Sequence, residues 1–456
     1  MSTQWRTLRC SFATALAVVA LSVSSALPTL GGVAAAQDGG PAEIDLWFDT
    51  TGGAESAECI TANLVEPFNE GSESVQVNAT MQANGWQATR TALAGGGGPD
   101  IVTTPGPSWA VELAKAGQLL ALDAYAEQFG WSERFVPWAL SLGQVDGALY
   151  SLPTEQETMV LYYNQTLFDE RGWELPTTLA ELTALSQQIA DEGVIPFAHG
   201  NQEWRPANHW YLGEFLNQVA GPEKVYEFLT GTAQLTDPEF VEAVDLLTQY
   251  QQNGWFMGGL ESYYTTTTDQ MHATFGDGEA AMLIEGTWFL SDAPSFFGEE
   301  AGNTNEWGWV PMPSATGEPT FDLGIGSTYS INPASQNPDA AAAFLDYLFS
   351  AEAQARLLAT CGTAPAPIAL DDSALTDIDP RQADIIQQLN AAADAGNYGY
   401  LMWTFFAPRV DSFLTENVER VWAGEMTSQE LLAEAQVIHD EEVADGTIPP
   451  IPQRGG

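Results

Sequence analysis

Between Ile44 and Thr103 the spacing of apolar residues switches repeatedly between two periods, and few architectures tolerate that switching. Ile44, Leu46 and Phe48 alternate with Asp45 and Trp47, the period of a half-buried strand. The turn Asp49-Thr50-Thr51-Gly52-Gly53 leads into a helix through Cys59, Leu64 and Phe68. A second strand follows around Val75–Val77, then a helix from about Trp86 to Leu93. Gly95–Gly98 precedes a third strand at Asp100–Thr103. Strands alternating with helices predict a parallel α/β sheet. At 456 residues the chain exceeds one ordinary core, so two lobes are expected.

The first residues read as a targeting segment. Arg6 and Arg9 precede an apolar run from Phe12 to Leu27, and Ala34-Ala35-Ala36 offers small residues for cleavage. Residues 1–36 are therefore assigned as a signal peptide. Cys10 precedes the apolar run, where a lipid-anchored protein would carry its cysteine after it. An exported protein is expected, at the periplasmic or extracellular face of the membrane. The formal charge of −48 argues against nucleic acid or an anionic membrane surface as partner. It is read as a solvated acidic shell, with a cationic ligand as the functional alternative.

Export leaves Cys59 and Cys361, and an oxidising compartment permits a bridge between them. Their separation is no obstacle, because loop-closure entropy grows slowly with length. A metal pair is the weaker reading: His199, His209, His272 and His439 show no ligand spacing. No metal and no cofactor are predicted.

From Tyr150-Ser151-Leu152-Pro153 an apolar run presents Glu157 and returns as Leu161-Tyr162-Tyr163-Asn164. Tyr162 and Tyr163 are read as strand packing. Thr178 and Glu181 form a capping box for a helix carrying Leu182, Leu185 and Ile189, which Gly193 stops. Asn337-Pro338 opens another helix, with Phe344, Leu345, Leu348 and Phe349 on its apolar face. The Thr265–Thr268 run reads as a polar loop. No Gly-x-Ser-x-Gly, His-Glu-x-x-His or Ser-x-x-Lys motif occurs, and Gly95–Gly98 lacks the Lys-Ser/Thr of a phosphate loop.

Several separated motifs together resemble the extracellular solute-binding family 1, the carbohydrate-type substrate-binding proteins of ABC importers that include maltose- and glucose-binding proteins. They are Gly95-Gly-Gly-Gly-Pro-Asp-Ile-Val102, the helix from Glu112 to Leu120 before Leu122-Asp123, and the stretch from Pro153 to Leu182. Phe275-Gly-Asp-Gly-Glu-Ala-Ala-Met282 with Gly286-Thr287-Trp288, Gly324-Ile-Gly-Ser-Thr-Tyr-Ser-Ile331 and the helix from Pro338 complete the set. The resemblance implies an α/β fold of the type II periplasmic-binding-protein kind: two lobes, a ligand cleft between them, and a hinge crossed more than once. The implied limits are 42–153 and 309–365 for the N-lobe, and 154–308 and 366–449 for the C-lobe. It implies a monomer that binds a small carbohydrate, closes on it and delivers it to ABC permease transmembrane subunits, with no chemistry of its own.

A sugar site needs aromatic platforms for C–H faces and polar groups for hydroxyls. Trp47 and Asp49 at the end of the first strand, Glu55 at the following helix start, and Trp86 after Gly85 are candidates by position. Core packing is the alternative for Trp47, and capping or solvated charge for Asp49 and Glu55. The resemblance carries over Ser108 and Trp109, although this chain lacks the charged residues that maltose binders have in that loop. It likewise carries over Glu157, Glu203, Trp204, Trp288, Asp322, Gly324 and Trp403; Glu155 and Arg205 are weaker candidates.

Two other readings compete. A two-lobe protein of this kind can bind a polyamine or ferric ion, with Tyr263-Tyr264 as the tyrosine pair of an iron site. A glycoside hydrolase would use two carboxylates such as Glu157 and Glu203.

Overall fold

The computed structural model describes residues 40–50, 54–203, 205–299, 301–370, 372–376 and 378–452. The signal-peptide assignment and the Thr51-Gly52-Gly53 turn lie outside the described residues.

The expected alternation is present. Strand Ala42–Asp49 pairs in parallel with Val75–Gln82, and Leu46 pairs in parallel with Ile101 of the strand Ile101–Thr104. The helix predicted from Trp86 starts one residue earlier and runs Gly85–Ala94. The helix predicted through Cys59, Leu64 and Phe68 is composite: Glu55–Ile60, a π-helical segment Thr61–Val65, then Glu66–Gly71. The change of winding falls just before Pro67, which has no N–H to bond one turn back.

The first sheet has the strand order 398–400, 321–331, 101–104, 42–49, 75–82, and Leu152–Glu157 also pairs with the long strand Phe321–Ile331. A second sheet orders Trp307–Pro311, Met159–Asn164, Ala280–Gly286 and Ile195–Phe197. Two large apolar cores accompany the two sheets. Leu152 belongs to the first core and Met159 to the second, so the chain passes between them within Leu152–Glu157, Thr158 and Met159–Asn164. The long strand passes back: Phe321, Leu323 and Ile325 pack in the second core, Tyr329 and Ile331 in the first.

Local signals set the helix starts. The capping box at Thr178 is formed, with the Glu181 N–H donating to Thr178 Oγ1 at 3.1 Å and the Thr178 N–H to Glu181 Oε2 at 3.0 Å. The helix Pro338–Leu348 buries Phe344, Leu345 and Leu348 as its periodicity predicts. Tyr162 is fully buried in the second core. The Thr265–Thr268 run is more than a loop, because Thr267 caps the helix Thr268–Gly276 through a second capping box.

Cys59 and Cys361 form a disulfide across 302 residues of sequence. It fastens the helix Glu55–Ile60 to the helix Ala351–Cys361. Among the described residues no helix is long and apolar enough to cross a membrane.

Candidate functional site

A cleft of about 330 Å³ opens where the two cores meet. From the first sheet it takes the ends of parallel strands, where ligands of open α/β sheets bind. Phe48 and Asp49 end one strand, and Thr103 lies near the end of another. Asn84 takes a left-handed conformation just ahead of the next helix. Gly85 then packs against strand backbone so closely that a Cβ would lie 2.8 Å from Asp49 Cα. This contact sets Trp86 at the rim, where its N–H donates to Asp49 Oδ2 at 3.1 Å. Glu55 enters from the start of its helix.

The crossing strand supplies Glu155 and Glu157, two residues apart and both on the cleft wall. Glu155 is held at φ +53°, a conformation L residues avoid and functional sites tolerate. Glu157 fits because its carboxyl lies over Gly326, whose added Cβ would fall 2.1 Å from Glu157 Oε1. Burial pushes the Glu155 carboxyl up to about 7, against a hydrogen bond from Ser327. Burial and the neighbouring Glu155 drive Glu157 well above the ordinary range, opposed by a hydrogen bond from the Trp403 indole.

The opposite wall is aromatic. The ring of Trp288 lies over Gly286, where a Cβ would be 2.1 Å away. The Trp288 indole N–H donates to Glu285 Oε1 at 2.9 Å, and Glu285 Oε2 lies 2.8 Å from His272 Nε2. Burial works against charge on His272, but the Glu285 carboxylate outweighs it and the imidazole ends above its ordinary value. Trp210 packs on Trp288 with centroids 4.8 Å apart, and Trp403 lies 5.8 Å from Trp288 and 5.5 Å from His209. Asp292 completes this wall, its carboxyl pushed up to about 6 chiefly by burial.

Of the residues singled out from sequence, Asp49, Glu55, Trp86, Glu157, Trp288 and Trp403 thus line one cleft, as does Glu155. The structure sets the others elsewhere. Trp47 points to the other side of its strand from Phe48, by strand alternation. Ser108 is buried behind the wall, where its hydroxyl donates to the Trp403 carbonyl at 3.1 Å. Trp109 lies beneath the Arg90 guanidinium, 5.0 Å from its ring centre, and Arg90 also pairs with Glu112. Glu203 accepts from the Thr268 N–H at 3.1 Å and so stands behind the cleft-lining Thr268. Asp322 is fully buried beside Glu214, between Phe321 and Leu323 of the second core. Gly324 is a packing glycine, since a Cβ there would meet Leu401 Cδ1 at 2.4 Å. Arg205 lies over the Tyr264 ring at 5.6 Å, and Trp204 lies outside the described residues.

His209, Trp210, Thr268, Glu285, Asp292 and Tyr329 escaped the sequence reading. Glu285 carried a usable signal, as the one charged residue in the otherwise apolar strand Ala280–Gly286. The others resemble ordinary core or surface residues until the fold assembles them.

The raised carboxyls predict a pH effect. A carboxyl whose folded pKa is raised leaves the native state holding more protons, so its contribution to stability falls as pH rises from about 4.5 through about 7. His199, which burial holds down at about 3, opposes this slope over part of the range. The clean observable is therefore a difference. Glu155→Gln should gain melting temperature relative to the parent as pH goes from 4.5 to 7.5 without ligand; a constant offset would refute the assignment.

Residues 56–355 match the family of bacterial extracellular solute-binding proteins. An uncharacterized ABC transporter extracellular-binding protein of Pyrococcus horikoshii is 25% identical over 247 residues, 53% of this chain and 52% of that protein. A probable sugar-binding periplasmic protein of Rhizobium meliloti is 32% identical over 144 residues, 28% of this chain and 34% of that one. The chain thus spans about half the length, or less, of these curated relatives. Among solved structures, a chitin oligosaccharide binding protein superposes with TM-score 0.75 at 21% identity, covering 89% of this chain and 100% of that one. The GacH receptor of Streptomyces glaucescens, solved unliganded and with acarbose, superposes with TM-score 0.71 at 21% identity over 89% of this chain and 99% of its own. At these identities the likeness is one of fold.

Proposed function

The chain belongs to the bacterial extracellular solute-binding proteins, and from that premise we propose that its cleft binds a mono- or oligosaccharide for delivery to the membrane permease of an ABC importer. The observation that carries this reading is the wall chemistry. Trp86, Trp288 and Trp403 offer flat apolar faces for the C–H faces of a sugar ring. Asp49, Glu155 and Glu157 stand beside them as acceptors for hydroxyls. A buried carboxyl that keeps its proton also donates, so the Glu155–Glu157 pair can match a hydroxyl in either sense.

In this reading residues 1–36 are removed on export and the protein works as a monomer outside the cytoplasmic membrane. The limits expected from sequence, 42–153 with 309–365 and 154–308 with 366–449, move in this reading to the two passages between the cores, near Thr158 and within Phe321–Ile331. Both walls are needed to enclose a ligand, which couples binding to closure of the hinge at Thr158 and within Phe321–Ile331. The relatives carrying names of this kind are binding proteins, which supports a receptor without catalysis.

Isothermal titration with common mono- and disaccharides, with spermidine and ferric citrate as competitors, tests the reading. One-to-one binding of a sugar without hydrolysis is the expected result. Binding of spermidine or ferric citrate and of no sugar, or turnover of a chromogenic glycoside, would overturn it.

A further inference from the structure

The charge inside the cleft asks for more than a neutral sugar. Carboxylates from both lobes border it: Asp49, Glu55, Glu155 and Glu157 from one side, Glu285 and Asp292 from the other. Among the described residues that line it, none is lysine or arginine. Glu285 is already committed, to His272 and the Trp288 indole. Asp292 lies 4.0 Å from His272 Nδ1 and Asp49 accepts from the Trp86 backbone N–H, but among the described residues no salt bridge reaches Glu155 or Glu157. Glu157 is only 5% exposed, with the Trp403 indole as its donor and a second carboxyl two residues away. Burial and crowding favour the protonated form of these carboxyls, and a ligand of opposite charge gains by drawing them into the charged form and pairing with them.

The aromatic residues point the same way. Trp86, Trp288 and Trp403 present π faces, which attract an ammonium group as well as sugar C–H bonds. The carboxylates are spread around the walls rather than gathered: among the described residues no three metal-binding side chains converge. Spread charge between aromatic walls fits an extended organic cation.

We infer that the natural ligand is a positively charged carbohydrate, an amino sugar or an oligosaccharide with a free amine, whose ammonium group sits among Glu155, Glu157 and Asp292. This rests on the carbohydrate reading above and narrows it. The sugar ring engages the tryptophans, while the ammonium group takes the place of the carboxyl protons and pairs with the acids. Selectivity over the neutral counterpart then comes from charge, with shape shared by both.

Matched pairs test this in the full-length mature protein: glucose against glucosamine and N-acetylglucosamine, the galactose and mannose equivalents, and chitobiose against its fully deacetylated form. Each is titrated calorimetrically at pH 7 in 150 mM salt. The free amine should bind one-to-one and at least tenfold more tightly than both the hydroxyl and the acetylated partner, about 1.4 kcal/mol. The double change Glu155→Gln with Asp292→Asn should shrink that ratio several-fold; a ratio that survives it would place the amine on the acidic outer surface and overturn the inference. Equal or tighter binding of neutral sugars would also overturn it and leave the carbohydrate reading standing. Spermidine binding without any sugar binding would bring down both.

Discussion

Trp288→Ala is expected to weaken sugar binding roughly thirtyfold or more, about 2 kcal/mol, the usual loss when an aromatic anchor in a desolvated pocket is truncated. Trp288 is placed for this by three contacts. Gly286 leaves room for its ring, Glu285 holds its N–H, and Trp210 backs it. Trp131→Ala is the informative contrast. That side chain is fully buried in the first core, stacked on Phe129 at 5.5 Å and donating its indole N–H to Asp346 Oδ1 at 3.2 Å. Its removal leaves a large cavity and takes one donor from Asp346 Oδ1, which Arg134 still holds at 2.8 Å, an expected loss of about 3–5 kcal/mol of stability. Affinity measured on the remaining folded Trp131→Ala protein should be near that of the parent. Chemical denaturation and calorimetry on both variants separate the two effects. Equal losses of affinity would remove the cleft from the position described here.

Breaking the Cys59–Cys361 bridge has the second large expected effect. Closing 302 residues of chain restricts the unfolded ensemble strongly, and the double serine variant should lose on the order of 2–5 kcal/mol. The bridge also fixes the helix that carries Glu55 into the cleft, so ligand affinity should fall modestly as well. A melting temperature unmoved by reductant would count against both. Alkylation gives an independent check: two thiols should label only after reduction.

The cysteine pairing was legible because the expected removal of residues 1–36 leaves a single possible pair. The rim positions of Asp49 and Trp86 were legible for a different reason, since residues that end parallel strands or begin the following helices must face the binding edge of such a sheet. Glu157 and Trp288 came from motif resemblance. Ser108 shows the limit of that approach. Its segment adjoins the cleft, but the hydroxyl turns back to hold the Trp403 carbonyl, and Gly106 lies against the same oxygen, where a Cβ would come within 2.7 Å. Asp322 shows a second limit. It begins the strand that returns to the first sheet, yet only the packing of Glu214 and Asn217 around it fixes its direction.

Periodicity, caps and turn residues act over a few positions, so the alternation of strands and helices, their starts, and the edge of the sheet where a ligand would lie could all be read from the chain. Which side chains meet there was decided by the tertiary structure alone. Glu157, Trp288 and Trp403 come from segments far apart in the chain, and each meets a residue of another segment: Gly326 leaves room for Glu157, Trp210 packs on Trp288, and Ser108 holds the Trp403 carbonyl. Convergence of that kind depends on how two lobes pack across a hinge, and no local pattern encodes it.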